Sequence, residues 1–248
     1  MVKVNNSVKI PLKEFLGKGS YEKRIEHAKE INAQFYQVVE SKMLNGMLPV
    51  NEYKKTLQEF LPSNIKVKFK TYVKKFLGQD DAYVTTLMND NDELDKFEIQ
   101  IPCREYINKQ RVIEKKDNNV SMHEMLHLFF AISNPKHTVR SCFNSTEYKF
   151  YEANIYTNMH SQFKLKDRLK WKKNLMQFLA KKSYKTQIDF LQNSRYRLLE
   201  EKLAYLEGEK YGNPDYMSKF FYFDEKIKII EKMLYKTIKK ARKENKKS

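Results

Sequence analysis

The hydrophobic pattern changes period twice along this chain, and this change constrains the fold more than any other feature. Near the N-terminus apolar residues recur every three or four positions, which predicts helices at 20–44 and 52–61. Apolar and polar residues then alternate, which predicts strands at 65–73, 82–88 and 97–101. Helical periodicity returns after Asn118, with predicted helices at 119–132, 146–162, 167–182, 185–209 and 224–243. The expected fold class is α+β, with a small mixed sheet beside a mostly helical body.

We expect one domain over residues 1–248, because 41% hydrophobic residues can supply a core. Its N-terminal part, 1–62, is predicted to be helical, and 63–134 to hold the sheet and a central helix. A second helical part covers 135–241, and a basic tail follows at 242–248. The third predicted strand ends at Pro102, which cannot donate a ladder hydrogen bond, so we expect that strand to lie at an edge of the sheet.

Two histidines lie one turn apart in the predicted helix 119–132, in the run His123-Glu-Met-Leu-His127. Residues four positions apart project from the same helix face, so both imidazoles can reach one tetrahedral metal ion at about 2.0–2.1 Å. Glu124 lies about 100° around the helix, beside the open position of such an ion. The pattern predicts a Zn²⁺ site with two histidine ligands and a neighbouring catalytic carboxylate.

The same segment allows a second interpretation. Ser121 and Glu124 have the S-x-x-E spacing of a capping box, in which the glutamate only closes a helix N-terminus and the histidines are incidental. A catalytic zinc site also needs a third protein ligand, which a later residue must supply. The candidates for that ligand are Glu147, Glu152, His160, Glu200 and Glu201.

The His123–His127 run resembles the signature of the zincin metallopeptidases, and the order of strands before a motif helix is similar to the N-terminal half of their fold. In members whose third ligand is glutamate, that residue often opens an E-x-x-A pattern, which Glu201-Lys-Leu-Ala204 matches. The resemblance implies Zn²⁺ held by His123, His127 and Glu201, with the alanine packed closely against the motif helix. It also implies hydrolysis of peptide bonds by a zinc-activated water, with Glu124 as the general base.

The resemblance further implies where a substrate binds. In zincins the edge strand before the motif helix pairs with an extended protein or peptide substrate, and 97–101 is the expected strand here. Glu98, Gln100 and Cys103 would then lie near the cleft. These enzymes often add a tyrosine or histidine that donates to the oxyanion. Residues of that kind after the motif are Tyr205, Tyr211 and His160.

The chain carries 48 Lys and Arg against 31 Asp and Glu, a formal net charge of +17. Because the lysines are scattered through every segment, this excess is typical of a solvated surface, and the alternative is an anionic partner such as an acidic protein or peptide substrate. Nucleic acid is a less favoured partner, because the sequence has neither zinc-finger spacing nor a recognised RNA-binding motif. Another alternative is a catalytically silent zincin-like structural or interaction protein encoded by a phage, since Lys, Asn, Tyr and Ile are all abundant.

Cys103 and Cys142 are too few for a disulfide framework and are expected to be reduced thiols. The N-terminal residues lack the apolar stretch of a signal peptide. No run approaches the roughly 18–20 apolar residues of a membrane-spanning helix. We therefore expect a cytoplasmic protein without a membrane partner, and a virus-encoded one if the amino-acid bias reflects its source.

Overall fold

The structure is a computed structural model, and its internal contacts divide the chain into two compact units. The residues that it describes are 21–63, 65–73, 82–88, 94–106, 109–133, 143–156, 165–210 and 216–244. The first unit is Met1–Pro135 with Tyr211–Asn213, and the second is Lys136–Lys210 with Pro214–Ser248. The predicted α+β class, with a small mixed sheet and a mostly helical body, is confirmed.

The first unit contains the whole sheet and the helix that carries the histidines. Its elements are α1 (Tyr21–Lys42), β1 (Met47–Pro49), α2 (Val50–Phe60), β2 (Val67–Val73), β3 (Tyr83–Met88), β4 (Leu94–Glu105), β5 (Arg111–Glu114) and α3 (Lys115–Ser133). Strands β1 and β5 were not predicted, because three and four residues are too few to show a period-two pattern. The helix α3 begins at Lys115 rather than at 119, directly after β5.

The strand predicted at 97–101 is central, so the prediction that it forms an edge was wrong. It belongs to β4, which pairs with β2 in parallel and with β3 in antiparallel orientation. The ladder with β3 ends at Gln100 and the ladder with β5 begins at Arg104. Pro102 falls in the gap between those two ladders, which explains how a proline is tolerated in a central strand. The edge position next to this part of β4 is taken by β3.

The core of this unit lies between the sheet and the first helices. On β4 the alternate residues Phe97, Ile99, Ile101 and Cys103 are fully buried, which is the period-two pattern of a strand with one apolar face. The predicted apolar stripe of α1 is buried at Ile25, Ala28, Ile31, Phe35 and Val39. Edge-to-face ring contacts from Phe35 to Tyr53 (5.5 Å) and Phe129 (5.8 Å) join α1 to α2 and α3.

Asn45 and Gly46, which directly follow the predicted helix 20–44, form a hairpin turn. Helix α1 ends at Lys42, and Leu44 and Met47 exchange two backbone hydrogen bonds of 2.9 and 3.0 Å. Asn45 and Gly46 both have positive φ, 51° and 74°, as the two-residue turn of a hairpin requires. The Gly46 carbonyl accepts from the Lys115 N–H at 2.9 Å, which fixes the first residue of α3.

The regular elements in the described residues of the second unit are all helical. Its elements are α4 (Ser145–Phe150), a π-helical segment (Tyr151–Tyr156), α5 (Leu165–Ala180), α6 (Tyr184–Lys210) and α7 (Tyr216–Glu244). The helix predicted at 146–162 is therefore α4 followed by the π-helical segment, and 157–162 lie outside the described residues. Aromatic rings fill the core, with Phe150 stacked on Phe178 at 3.9 Å and Phe190 against both.

A lysine is fully buried in this core. Lys226 of α7 donates from Nζ to the Ile155 carbonyl, and its ammonium lies 4.2 Å from the Tyr222 ring centre and 5.7 Å from that of Trp171. The Trp171 indole N–H donates to the preceding carbonyl, that of Asn154, at 2.7 Å. These two donors satisfy carbonyls at the end of the π-helical segment. Burial lowers the pKa of the Lys226 ammonium to about 7.

Substitution Lys226→Met is expected to change how stability depends on pH. The pKa of Lys226 is about 7 in the folded chain against an ordinary 10.5, so between these values the unfolded chain binds more protons. The free energy of unfolding of the wild type, measured against that of K226M by urea titration, should therefore rise with pH by up to about 1.4 kcal/mol per unit. The exposed Lys232→Met is the control, and parallel profiles for wild type and K226M would contradict the prediction.

Candidate metal centre

The helix α3 is buried on nearly all sides, and its two histidines face each other across one turn. Six apolar side chains around them are buried: Met122, Met125, Leu126, Leu128, Phe129 and Phe130. The imidazole of His123 is 8% exposed, and that of His127 is partly exposed. The ring centres are 4.9 Å apart and the ring planes are inclined by 67°. The pair therefore lies at the boundary between the core and solvent, where an ion can enter.

The distance between the two Nε2 atoms is 3.2 Å. Two nitrogens that bind one tetrahedral zinc ion at about 2.0–2.1 Å are themselves about 3.3 Å apart. The observed separation matches that value without any change of rotamer. It also suits a hydrogen bond between two neutral rings, but two imidazolium ions at this distance would each present only a donor. The geometry therefore requires at least one ring nitrogen that is an acceptor, which is the form of the ring that binds a metal ion.

Glu124 lies beside this pair and is held by the backbone of the edge strand. Its Oε1 is 3.8 Å from the His123 Nε2, and its Oε2 accepts a hydrogen bond of 3.1 Å from the Val84 N–H on β3. Because that N–H points at Glu124, it is not part of the ladder with β4. The carboxylate thus lies next to the imidazoles. It does not lie at a helix N-terminus, where a capping residue would have to be.

The capping-box interpretation is excluded by the start of α3. This helix begins at Lys115, so Ser121 is already in its second turn. The Ser121 hydroxyl donates to the Asp117 carbonyl at 2.7 Å, a bond made within a helix and not at its cap. Helix initiation therefore does not account for the presence of Glu124.

Four of the five candidates for the third ligand are less suitable. Two have other hydrogen-bond partners, one is exposed, and one lies outside the described residues. Glu147 forms a capping box with Asn144 at the start of α4 and also accepts from Lys182 at 3.3 Å. Glu200 is buried and accepts from Arg197 at 2.6 Å. Glu152 is exposed and accepts a long hydrogen bond of 3.4 Å from Tyr148. His160 lies outside the described residues.

The remaining candidate, Glu201, is buried on α6 with 3% of its surface exposed. Glu201 belongs to the second compact unit, whereas the two histidines belong to the first. Two imidazoles and a carboxylate are a donor set of catalytic zinc sites, so the residue types present fit this ion. Ala204, the alanine of the E-x-x-A pattern, is fully buried.

Two residues of this region were missed by sequence reasoning. Val84 holds the Glu124 carboxylate through its backbone N–H. A contact made by a backbone group cannot be recognised from a sequence motif. Tyr151 lies in the π-helical segment, close enough to Glu200, Glu201 and Arg197 to interact electrostatically with all three. Burial raises the pKa of the Tyr151 hydroxyl, so it is a neutral hydrogen-bond donor near Glu201. A π-helical turn often marks a functional site, but its presence is not visible as a motif.

The other residues predicted near a cleft have different surroundings. Glu98 is on the polar face of the sheet, where hydrogen bonds from Lys70 (2.6 Å) and then Tyr83 (2.8 Å) lower its carboxyl pKa to about 2. Cys103 is a free thiol, as predicted, but it is buried and donates to the Tyr72 carbonyl. The Tyr205 ring stacks on Phe223 at 5.5 Å. Predictions for Tyr211, His160 and Cys142 fall outside the described residues.

Comparisons with known proteins do not assign this chain to a family. No protein-family model, no curated protein and no solved structure matches it. Among the helices in the described residues, none is both long enough and apolar enough to cross a membrane. The resemblance to zincins therefore rests only on the residues of this chain and on the geometry given above.

Proposed function

We propose that this chain is a zinc-dependent metallopeptidase with a zincin-like fold. His123, His127 and Glu201 are the proposed zinc ligands, and Glu124 is the proposed general base. The observation that carries the proposal is the 3.2 Å separation of the two Nε2 atoms, which equals the spacing of two ligands on one tetrahedral ion. The E-x-x-A pattern that Glu201 opens and its burial on α6 support the choice of third ligand.

The proposed chemistry divides between the ion and the side chains. A zinc ion in such a site lowers the pKa of a bound water and polarises a substrate carbonyl. Glu124 lies 3.8 Å from His123 without sharing its helix face, so it is placed to accept a proton from the attacking water and to pass it to the leaving amine. Its hydrogen bond from Val84 keeps the carboxylate in this orientation between turnovers.

The proposed substrate is an extended protein or peptide chain that adds to β3. This strand pairs with β4 alone among the described strands, so its other edge is open to a further strand. The Val84 N–H on that edge bonds to Glu124, which brings the edge and the general base within 3.1 Å of each other. The formal charge of +17 favours acidic substrates over basic ones.

Metal analysis of purified full-length variants is the test of this proposal. The wild type should hold about one zinc ion per chain and cleave a generic unfolded protein. His123→Ala and Glu201→Ala should lose the metal, because each removes a ligand. Glu124→Gln should keep the metal but lower the rate of hydrolysis by about 100-fold or more, since it removes only the proton acceptor.

Two further variants are matched controls for these losses. Glu200→Gln changes a buried carboxylate next to Glu201, and Glu152→Gln changes an exposed one; both should retain zinc. Full activity in Glu124→Gln would disprove the mechanism. A wild type that binds zinc without any hydrolysis would instead favour the catalytically silent alternative.

The contact between β3 and Glu124 gives a second test. Val84→Pro removes the N–H that Glu124 accepts, and an edge strand tolerates proline where its N–H points out of the ladder. We expect kcat to fall about tenfold, since a hydrogen bond to a charged group is worth about 1.5–3 kcal/mol, while the zinc content stays the same. Val84→Ala keeps the N–H and is the control. Equal kcat values for the two variants would show that this contact has no part in catalysis.

A further inference from the structure

The last helix, α7, carries a row of lysines along its exposed side. Lys228, Lys232, Lys236, Lys239 and Lys243 follow one another at intervals of four, four, three and four residues, and all five are exposed. At 100° per residue they fall within about 80° of the helix circumference, over a length of about 22 Å. We call these five residues the lysine row. Lys240 and Arg242, also exposed, flank its C-terminal end.

Most of this positive charge is not neutralised. Lys228 is paired with Asp224 at 2.6 Å and lies 3.7 Å from Glu225. Within the part of the chain that the structure describes, the other four lysines of the row form no ion pair. The two acidic residues nearest to them have other partners, since Glu231 binds Arg195 and Glu244 accepts from Tyr184. By contrast, Lys68 and Lys70 on the sheet share the carboxylate of Glu98.

An aromatic ring lies at the middle of the row. Tyr235 is 68% exposed, although tyrosine normally buries most of its ring. It lines a shallow surface groove of about 350 Å³ together with Lys228, Glu231, Lys232 and Lys236. The walls of this groove are mostly the carbon atoms of the lysine side chains and of the ring. A flat ring in a groove bordered by ammonium groups can stack an unpaired base while the lysines contact phosphates.

The apolar side of α7 is already used in folding. Phe223, Ile227 and Ile230 are buried in the core of the second unit, where α7 packs along α6. The exposed side therefore lacks the broad apolar face with which an amphipathic helix enters a lipid surface. This surface fits a different anionic partner better than it fits a lipid surface. Such a partner has no apolar layer and carries planar groups between its charges.

We propose that the exposed face of α7, formed by the lysine row and Tyr235, binds single-stranded nucleic acid. The phosphates contact the lysines, and a base stacks on the tyrosine ring. The proposal is independent of the zinc site, because it uses none of its residues.

The test uses the full-length protein and a labelled single strand of about 20 nucleotides. The first variant replaces Lys232, Lys236, Lys239 and Lys243 by Gln. Its matched control replaces by Gln four exposed lysines from other parts of the chain, which form no ion pair among the described residues: Lys54, Lys55, Lys172 and Lys173. Both variants therefore lose the same charge. Circular dichroism establishes that each variant is folded.

The row variant should bind the strand at least about tenfold more weakly at 0.1 M salt, and its slope of log K against log salt should be smaller by about 3. The control should bind like the wild type. Equal losses in the two variants would mean that only net charge matters and would overturn the proposal.

Tyr235 provides a test of the partner class. Tyr235→Ala should weaken strand binding about tenfold, and Tyr235→Phe should not, because the phenyl ring still stacks. Vesicles of phosphatidylserine and a polyglutamate of similar charge serve as competing anions. Tighter binding to either of them, or to a duplex of the same length, would overturn the assignment to single-stranded nucleic acid, as would equal binding by Tyr235→Ala and wild type.

Discussion

The contact between two imidazoles one helical turn apart is the constraint on which the candidate site depends. His123 and His127 bring their Nε2 atoms to 3.2 Å inside a helix whose other faces are apolar. A buried ring nitrogen is costly unless it has a partner, and two protonated rings cannot approach so closely. The short distance therefore requires a proton or a cation between the two nitrogens. In the proposed site, one divalent ion would bind both nitrogens at once.

The position of Glu124, the proposed general base, depends on the sheet as much as on the helix. Glu124 receives the Val84 N–H from β3, an edge strand that is antiparallel to β4. Strand β4 is paired with β2 on its other side, and β3 brings a main-chain N–H to the carboxylate. In the proposed function the same strand would both orient the base and offer an edge to a substrate.

The positively charged side chains differ in whether a nearby acidic side chain balances their charge. On the sheet, lysines surround Glu98 and lower its carboxyl pKa to about 2, so their charge is locally balanced. On α7 the lysine row is aligned along one side, and its members other than Lys228 have no acidic partner among the described residues. A single value of net charge cannot distinguish these situations. Only the second arrangement concentrates positive potential along a line, which suits a linear polyanion.

The sequence by itself determined the fold class, the helix and strand periods, and the pair of histidines with its neighbouring glutamate. These are local properties, because periods of 3.6 and 2 and a spacing of four residues depend only on backbone geometry. It also ranked Glu201 first among the third ligands, through a short pattern. Tertiary structure decided which strand is at the edge, where Val84 meets Glu124, and which lysines are neutralised. Those features depend on pairing and packing between residues distant in sequence, and no local pattern encodes them.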